Sequence, residues 1–308
     1  MKIRKILTLT VALALLVTLA AGCGLAVADG LTVTDMKGRT ITLDQPATRV
    51  VALTAADCEI LYALGAGDTL VGRGEYCDYP ESVLAVPAVQ SGSETNLEQI
   101  IALQPQVLLM STMAQSEEQV GQLEAAGIRV VVSEAQDIEG TYTAIRMIGA
   151  LMGKNSEAET LVDGMQASFD ALKNAGAGKG SSVYFEVSPL QYGLWTAGQG
   201  TFMDEIATLL GLTNCFADVN GWAEVSEEQV IERNPDYIVT IAMYTGEGHT
   251  PEEEILSRAG WANVTAVQKG RVLCLPDNEL TRPGPRLVDG AQKLSDFIVN
   301  SAAKDHAE

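Results

Sequence analysis

Several aromatic and polar side chains follow segments that are predicted to be β-strands, and together they could bind a small molecule. In open α/β sheets the ligand binds at the carboxyl ends of the strands, so residues placed there are candidates for contact. Aromatic rings would supply a large contact area at little conformational cost, which suits a large, flat or rounded ligand. The candidate ligand contacts are Tyr76, Thr112, Trp195, Trp222, Tyr244 and Arg282.

Two of these assignments have alternatives that the sequence leaves open. Trp195 suits a core position as well as a ligand contact. Arg282 and Arg286 lie in the segment RPGPR, whose prolines would hold them in place. They could meet a carboxylate or a phosphate of the ligand, or pair with the many acidic residues. We expect Arg282 to face the cleft and Arg286 to have a structural role.

The sequence lacks the usual catalytic motifs. It contains no nucleophile elbow, no phosphate-binding GxxxxGK[ST] loop and no paired His/Cys constellation. We expect its two histidines, His249 and His306, to be exposed rather than to bind a metal. No catalytic residue, resident metal or cofactor is therefore predicted.

The elements that would position the candidate contacts occur twice. Residues 96–110 (NLEQIIALQPQVLLM) and 226–240 (SEEQVIERNPDYIVT) each contain a capping residue, a glutamate at the second helical position, a short helix, a proline and a buried strand. Those glutamates are Glu98 and Glu228. Two such units predict two lobes of similar build with a ligand cleft between them.

Predicted elements include the strands Val107–Met110, Ile128–Val132 and Val272–Leu275 and the helix Phe202–Leu210. The alternation of strands and helices gives the fold class, which is α/β with two Rossmann-like lobes. Ser156 and Glu159 form a capping box that would start a helix of about 19 residues, or ~28 Å. This single helix would join the lobes as a stiff backbone and limit their closure. The predicted domains are an N-terminal lobe at 49–153, a backbone helix and linker at 154–181, a C-terminal lobe at 182–300 and a tail at 301–308.

The N-terminus predicts export. Lys2, Arg4 and Lys5 precede an apolar run that ends in LAAG directly before Cys23, which is the pattern of a bacterial lipoprotein signal. We expect residues 1–22 to be removed and Cys23 to carry lipid, with ordinary cleavage near Ala28 as the alternative. Residues 23–48 would form a tether and a β-hairpin. The protein would then lie outside the cytoplasm, anchored to the cell membrane by lipid alone.

Charge and cysteine content limit the partners and the covalent structure. Residues 1–22 contain three of the 20 basic residues, so the remaining chain has 17 basic and 40 acidic residues and a formal charge of about −23. Nucleic acid is therefore a disfavoured partner. Three disulfide connectivities are possible for the four remaining cysteines, and four buried thiols are the alternative. We favour the pairs Cys58–Cys77 and Cys215–Cys274, each within one lobe.

The whole of residues 31–299 resembles a known family, the helical-backbone (class III) substrate-binding proteins of ABC importers for iron–siderophore complexes, haem and cobalamin. The resemblance implies a monomeric extracytoplasmic lipoprotein that captures an iron–siderophore-type chelate and delivers it to a permease dimer with its ATPase. Cobalamin or haem is the alternative ligand, and an extracytoplasmic enzyme that processes a metal chelate is the alternative from a different functional class. The segments that carry the resemblance are RVVALTAADCEILYALGAGDTLVGRGEYCDYP, NLEQIIALQPQVLL, GWAEVSEEQVIERNPDYIV, GWANVTAVQKGRVLCL and RPGPRLVDGAQKL.

The resemblance also implies roles for particular residues. One acidic residue of each lobe docks onto arginines of the permease in this family, and Glu98 and Glu228 match those positions. A glutamate in a first helical turn also stabilises its helix without any partner, and this alternative stays open. Tyr76 and Trp222 match aromatic residues that contact the corrin in cobalamin-binding relatives. The strand-end segment FEVSPLQ, residues 185–191, lacks the basic residues expected for a trianionic catecholate complex, which favours a hydroxamate complex, haem or a corrinoid.

Overall fold

The N-terminal hairpin forms as predicted. The computed structural model describes residues 30–92, 95–111, 116–241, 249–275 and 278–305. In it, β1 (Leu31–Thr34) and β2 (Thr40–Leu43) pair in antiparallel fashion. Gly38 lies in the connecting turn at φ +77°, a left-handed conformation that glycine adopts without strain.

The N-terminal lobe is built on a parallel sheet with helices beside it. The strands are short and mostly buried, as expected for strands covered on both faces. Its elements are β3 (Val50–Ala52), α1 (Ala55–Ala63), β4 (Leu70–Gly74), β5 (Ala88–Val89), α2 (Leu97–Ala102), β6 (Val107–Met110), α3 (Glu117–Ala125), β7 (Arg129–Val132) and α4 (Ile138–Leu151). Among the described residues the strand order is β5-β4-β3-β6-β7.

The C-terminal lobe repeats this architecture with a smaller parallel sheet. Its elements are β8 (Ser182–Glu186), β9 (Leu194–Ala197), α6 (Phe202–Leu210), β10 (Thr213–Asn214), β11 (Trp222–Val225), α7 (Glu227–Arg233), β12 (Tyr237–Ile241), α8 (Pro251–Ser257), α9 (Thr265–Gln268), β13 (Val272–Leu275) and α10 (Leu287–Asp305). The parallel order is β10-β8-β12-β13, and β9 pairs with β11 in a separate antiparallel ribbon.

One long helix, α5 (Asn155–Ala175), runs between the two lobes. Its 21 residues correspond to about 32 Å. It packs against α4 of the N-terminal lobe and against α6 and α10 of the C-terminal lobe. The buried residues Val162 and Phe169 of this helix belong to a core that includes both Val107 and Val239, one from each sheet. The two lobes therefore share one apolar core through α5.

The predicted start of the long helix is wrong. Lys154, not Ser156, is the residue that precedes the first helical turn, and no side chain caps it. The Lys154 carbonyl accepts from the Ala158 N–H at 2.9 Å and so begins the helical ladder earlier. Glu159 pairs instead with Arg146 of α4, Oε1 to Nε at 3.0 Å.

Both copies of the sequence repeat fold alike. Asn96 caps α2 and Ser226 caps α7, each by accepting from the N–H three residues later. Gln104 and Asn234, the residues before the two prolines, both have a left-handed backbone, with φ of +48° and +45°. The repeated helix–proline–strand unit is confirmed. Searching the described helices for a bilayer-crossing segment finds none of sufficient length and apolar character.

The predicted disulfides are absent from the structure, in which the four described cysteines are free thiols. Cys215 follows β10 and donates its N–H to Val183 of β8, whereas Cys274 lies on β13. These strands are opposite edges of the sheet with two strands between them, a separation of roughly 14 Å. A disulfide needs its Cα atoms within about 7 Å, so the Cys215–Cys274 pairing is wrong.

Cys58 and Cys77 lie close together, as the predicted pairing requires, but both are free thiols and form no disulfide. The sulfur atoms of Cys58 and Cys77 lie 3.8 Å and 3.9 Å from the same carbonyl oxygen, that of Ala52. A hydrogen bond with Cys77, together with burial, raises the pKa of the Cys58 thiol far above its usual range. Burial also raises the pKa values of Cys215 and Cys274, each to about 11. The thiols of Cys58, Cys215 and Cys274 are therefore protonated and weakly reactive at neutral pH.

Candidate functional site

A cavity of about 280 Å³ lies between the lobes, and both lobes supply its wall. The N-terminal lobe contributes residues that directly follow β3, β6 and β7, at the carboxyl edge of its sheet. The C-terminal lobe contributes the starts of α6 and β11 and the loop between β13 and α10. Polar and aromatic members of the wall include Asp57, Ser133, Glu134, Gln136, Trp222 and Arg282.

Asp57 is a buried carboxyl group in this wall. It lies in the first turn of α1, where its N–H donates to the Thr54 hydroxyl at 3.2 Å. The same hydroxyl donates to Asp57 Oδ2 at 2.5 Å, and the side chain of Ser133 makes a further hydrogen bond. Burial outweighs these bonds and raises the pKa of Asp57 from 3.8 to about 6. The cavity thus contains an acid that titrates near neutral pH.

Two arginines from the loop before α10 form ion pairs across the lobes. Arg282 Nη1 lies 2.5 Å from Asp78 Oδ1 and 3.1 Å from Glu59 Oε1. Arg286 makes a two-point pair with Glu59, at 2.9 and 2.6 Å, and its guanidinium lies 4.0 Å from the centre of the Tyr79 ring. The hydrogen bond from Arg282 holds the pKa of Asp78 below its usual value. Carboxylates of the N-terminal lobe therefore compensate both arginines.

Their positions match the expected division between the two arginines. Arg282 lies in the cavity wall, whereas Arg286 is buried behind it against Glu59. Ligand contact by Arg282 stays a prediction, because its guanidinium already pairs with Asp78 and Glu59.

Trp222 closes one side of the cavity. Its indole Nε1 donates to Gln136 Oε1 of the N-terminal lobe at 3.0 Å. Its ring packs against Phe202 with centroids 5.5 Å apart and a tilt of 59°. The Phe202 N–H in turn donates to the Gln136 carbonyl at 2.8 Å. Gln136 thus joins the lobes through both its side chain and its backbone.

The other described aromatic candidates lie outside the cavity wall. Tyr76 is largely exposed, and its carbonyl accepts from Arg282 Nη2 at 3.3 Å, which places it beside the rim of the cavity. Trp195 is exposed on β9, paired in register with Glu224 of β11. Ligand contact by Tyr76 stays a prediction, whereas the place of Trp195 outside the wall favours the alternative in which Trp195 does not contact the ligand. The candidate contacts Thr112 and Tyr244, the predicted lipidation site Cys23 and the histidine His306 lie outside the described residues.

Glu98 and Glu228 occupy equivalent positions, each the second residue of its helix and exposed to solvent. Hydrogen bonds from its own N–H and from the side chain of Ser226 lower the pKa of Glu228. These contacts fit helix stabilisation and leave both carboxylates accessible, so docking onto a permease stays a prediction.

A larger cavity, of about 430 Å³, lies within the C-terminal lobe alone, beside Glu186 and His249. Glu186 is buried there with Arg258, Oε2 to Nη1 at 2.9 Å, and burial raises the pKa of this carboxyl group. The side chain of His249 is exposed, as expected. In the described part of the chain, no group of three or more His, Cys, Asp or Glu residues could hold a metal ion.

Sequence reasoning missed part of the N-terminal wall. The strand at 128–132 is predicted, but the residues after it, Ser133 to Gln136, are not among the candidate contacts. Applying the strand-end rule to this strand as well would have found them. Asp57 gave no such signal, because in the sequence it is one polar residue in a helix, and its burial depends on the loop after β7.

Two parallel-sheet lobes around a shared cavity define a two-lobed binding protein. The model of the periplasmic binding protein family matches residues 50–279, and the chain belongs to this family. An uncharacterised ABC transporter substrate-binding lipoprotein of Bacillus subtilis (strain 168), YvrC, is 32% identical over 282 residues, which is 89% of this chain and 87% of that protein.

Two further similarities extend this assignment. A vitamin B12-binding protein of Salmonella paratyphi A (strain ATCC 9150 / SARB42) is 32% identical over 256 residues, covering 82% of this chain and 90% of that protein. The solved structure of a possible iron-binding (periplasmic solute-binding) protein from Staphylococcus epidermidis ATCC 12228 matches with a TM-score of 0.68 and 31% identity, over 82% of this chain and 99% of that one.

The chain is therefore the extracytoplasmic substrate-binding component of an ABC importer, which works with a permease and an ATPase, and it is not an enzyme. The resemblance to the class III family is confirmed.

Proposed function

We propose that the protein captures an uncharged or cationic metal chelate, an iron–hydroxamate siderophore or a corrinoid, and delivers it to its permease. The charge of the cavity wall carries this proposal. Arg282 in the wall is compensated by Asp78 and Glu59. Asp57 and Glu134 line the same cavity, and of these two carboxyl groups Glu134 pairs with Lys37 at 3.5 Å whereas Asp57 has no ion pair within the described residues, so the wall has no excess positive charge. A tricatecholate complex, or haem with its two carboxylates, would bring further negative charge to this wall.

The cavity and its rim together could bind a ligand as large as a siderophore complex or a corrinoid. The cavity of about 280 Å³ would hold one edge of a siderophore complex or a corrin. The remainder would extend over the rim, where Tyr76 is exposed next to Arg282. The names of the Salmonella and Staphylococcus relatives, vitamin B12-binding and possible iron-binding, support the same two ligand classes.

Binding of four purified probes tests the ligand class. A ferric trihydroxamate or cyanocobalamin should bind to the full-length protein and quench its tryptophan fluorescence. A ferric tricatecholate should bind at least about a hundredfold more weakly, because its three negative charges would meet the carboxyl groups of the wall. Haemin should also bind weakly. Tight binding of the tricatecholate or haemin, with no binding of the other two probes, would contradict the proposal.

Two tryptophan variants, one inside the cavity wall and one outside it, test whether the cavity is the binding site. Trp222→Ala should weaken binding of the preferred probe by about 2 kcal/mol or more, as removal of a central aromatic contact does. Trp195→Ala removes an exposed indole outside the cavity wall and should change the affinity by less than about 0.5 kcal/mol. Equal effects of the two changes would show that the cavity is not the binding site.

We further propose that Glu98 and Glu228 dock onto basic groups of the permease. The double change Glu98→Gln and Glu228→Gln should leave probe affinity intact and slow uptake of the preferred probe into cells, because charges at the edge of an interface chiefly tune recognition of the partner. The double change Glu117→Gln and Glu118→Gln is the control, since it also removes two first-turn carboxylates but from α3, outside the repeat. Wild-type uptake by the first variant would show that its glutamates only stabilise helices.

The proposed lipid anchor rests on the sequence around Cys23 and on the name of the Bacillus relative, a lipoprotein. Cys23→Ser should move the protein from the membrane fraction to the soluble extracytoplasmic fraction, because no lipid can then be attached. Membrane retention of this variant would contradict the anchor. We expect the released protein to be a monomer, which sedimentation analysis would check.

A further inference from the structure

Two exposed isoleucines, Ile101 and Ile231, lie at the same position of the two repeats. Each is the fifth residue of its helix, three positions after Glu98 or Glu228. We propose that each isoleucine and its glutamate form half of a two-part docking surface, and that the permease dimer presents an apolar recess beside each of its basic groups. This inference rests on the proposed delivery to a permease and names the apolar component of that contact.

The exposure of these side chains sets them apart from their neighbours. Ile101 is 40% exposed and Ile231 is 36% exposed, whereas Ile100 and Val230, the residues before them, are fully buried. The buried residue in each helix already serves the core. A single exposed apolar side chain is common on any protein surface and would carry no inference. Here two isoleucines recur at equivalent places in two lobes whose repeats otherwise differ at several positions.

The helix geometry places each isoleucine beside its glutamate. Residues three apart in an α-helix lie on the same face with Cβ atoms about 5–6 Å apart. Glu98 and Ile101, and likewise Glu228 and Ile231, therefore present one charged and one apolar group to the same neighbour. This combination is typical of protein interfaces, in which apolar contacts are excluded from water and charges lie around them.

The arrangement of the two pairs fits a partner with two-fold symmetry. Both α2 and α7 lead into a parallel strand, β6 and β12, so each helix runs back along its sheet and begins near the carboxyl edge. In the N-terminal lobe this is the edge that lines the cavity. One pair on each lobe would meet the same structural feature of each permease subunit, as the two halves of a symmetric dimer require.

Photocrosslinking in cells tests the placement. Ile101, Ile231 and the control Val299 are each replaced by p-benzoylphenylalanine in the full chain; Val299 is 54% exposed on α10, outside the repeats. Illumination should join the variants at Ile101 and Ile231, but not the one at Val299, to a polypeptide that mass spectrometry identifies as an ABC permease subunit. The same photoreactive residue at Glu98 serves as a second reference.

The outcomes separate this inference from the function on which it rests. Permease crosslinks from position 98 but not from positions 101 and 231 would overturn the inference and leave permease delivery standing. No permease crosslink from any of these positions would overturn both. Crosslinks from position 299 as strong as those from 101 and 231 would show a non-specific surface and also overturn the inference.

Affinity then tests the apolar character of the contact. Ile101→Ser and Ile231→Ser should each weaken binding to the purified permease complex by roughly threefold to eightfold, because each removes the burial of a partly exposed aliphatic side chain. Val299→Ser should have no effect, and melting temperatures and cyanocobalamin or ferric trihydroxamate affinities should stay at wild-type values. Unchanged permease affinity of the Ile101→Ser, Ile231→Ser double variant would overturn the inference.

Discussion

Replacing Asp57 by asparagine should stabilise the protein, and increasingly so as the pH rises. Asp57 is buried, with its pKa raised from 3.8 to about 6 by burial. The folded state therefore binds a proton more tightly than the unfolded state does, so the stability contributed by this group falls as the pH rises through about 6. Asparagine keeps the size and an acceptor oxygen for the Thr54 hydroxyl but never has to carry a buried charge.

The magnitude follows from the two pKa values. A difference of one unit between the two pKa values corresponds to about 1.4 kcal/mol, so the full cost of ionising Asp57 in the folded state is roughly 3 kcal/mol. Between pH 5 and pH 8 the unfolded carboxyl is ionised throughout, while the folded one loses its proton. Integration over this interval gives about 1.4 kcal/mol. The variant minus wild-type difference in unfolding free energy should rise by that amount.

Urea unfolding at pH 5, 6, 7 and 8, followed by circular dichroism, measures this difference. Other titrating groups, such as Asp35 and Asp78, whose pKa values are lowered, are common to both proteins and cancel. Asp163→Asn, at an exposed position of α5, controls for the loss of one negative charge from an acidic chain. A difference that is independent of pH, or that grows towards acid, would refute the buried, destabilised carboxylate.

The remaining predictions concern the C-terminal lobe. Arg258→Met should destabilise the protein by about 3–5 kcal/mol, because it leaves Glu186 buried without its partner. Arg146→Met, which breaks an exposed ion pair, should cost at most about 1 kcal/mol. Thermal unfolding compares the two variants, and equal losses of stability would contradict the burial argument. After unfolding without reductant, Cys215 and Cys274 should both react with iodoacetamide, since they lie at opposite sheet edges, and a peptide joining them by a disulfide would contradict the strand order.

Local signals predicted the elements of the fold well. The strands Val107–Met110 and Val272–Leu275 and the helix Phe202–Leu210 have the predicted bounds. In each case an apolar run of the right length is bounded by a proline, a glycine or a capping residue, so residues adjacent in the sequence determine where the element begins and ends. The repeat is predictable for the same reason, because its cap, helix, proline and strand are all contiguous in the sequence.

Features set by tertiary packing were not predictable. The long helix begins at Asn155 because the Lys154 N–H donates to the Gly149 carbonyl of α4, which fixes the turn between the helices and leaves Ser156 already inside α5. A capping box needs only a local pattern, and that pattern was present but overridden. The wrong Cys215–Cys274 pairing has a similar origin, since which strands form the edges of a sheet is a long-range property.

The site was predicted in outline but not in its charge. Trp222 and Arg282 line the cavity, as strand-end reasoning indicated. The partner of both arginines, Glu59, is more than 200 residues away in the sequence and gave no signal. Without Glu59 and Asp78 the two arginines would predict an anionic ligand, whereas these carboxylates compensate both guanidinium charges. These ion pairs between the lobes are the reason that we propose an uncharged or cationic ligand.

The contacts between the lobes indicate whether a ligand would enter on the side of Arg286 or on the side of Trp222. Glu59 and Arg286 are both buried, and separating such a pair costs about 3–5 kcal/mol. On the other side, Gln136 accepts from the Phe202 N–H and from Trp222 Nε1. The bond to the partly exposed Trp222 side chain is worth about 1 kcal/mol, and a rotation of that side chain breaks it without breaking the backbone bond. Since α5 also holds both lobes in a common core, opening as rigid bodies would have to break the stronger contacts. A ligand would therefore enter by displacing Trp222 from Gln136, with the arginine side of the cleft and the spacing of the lobes preserved.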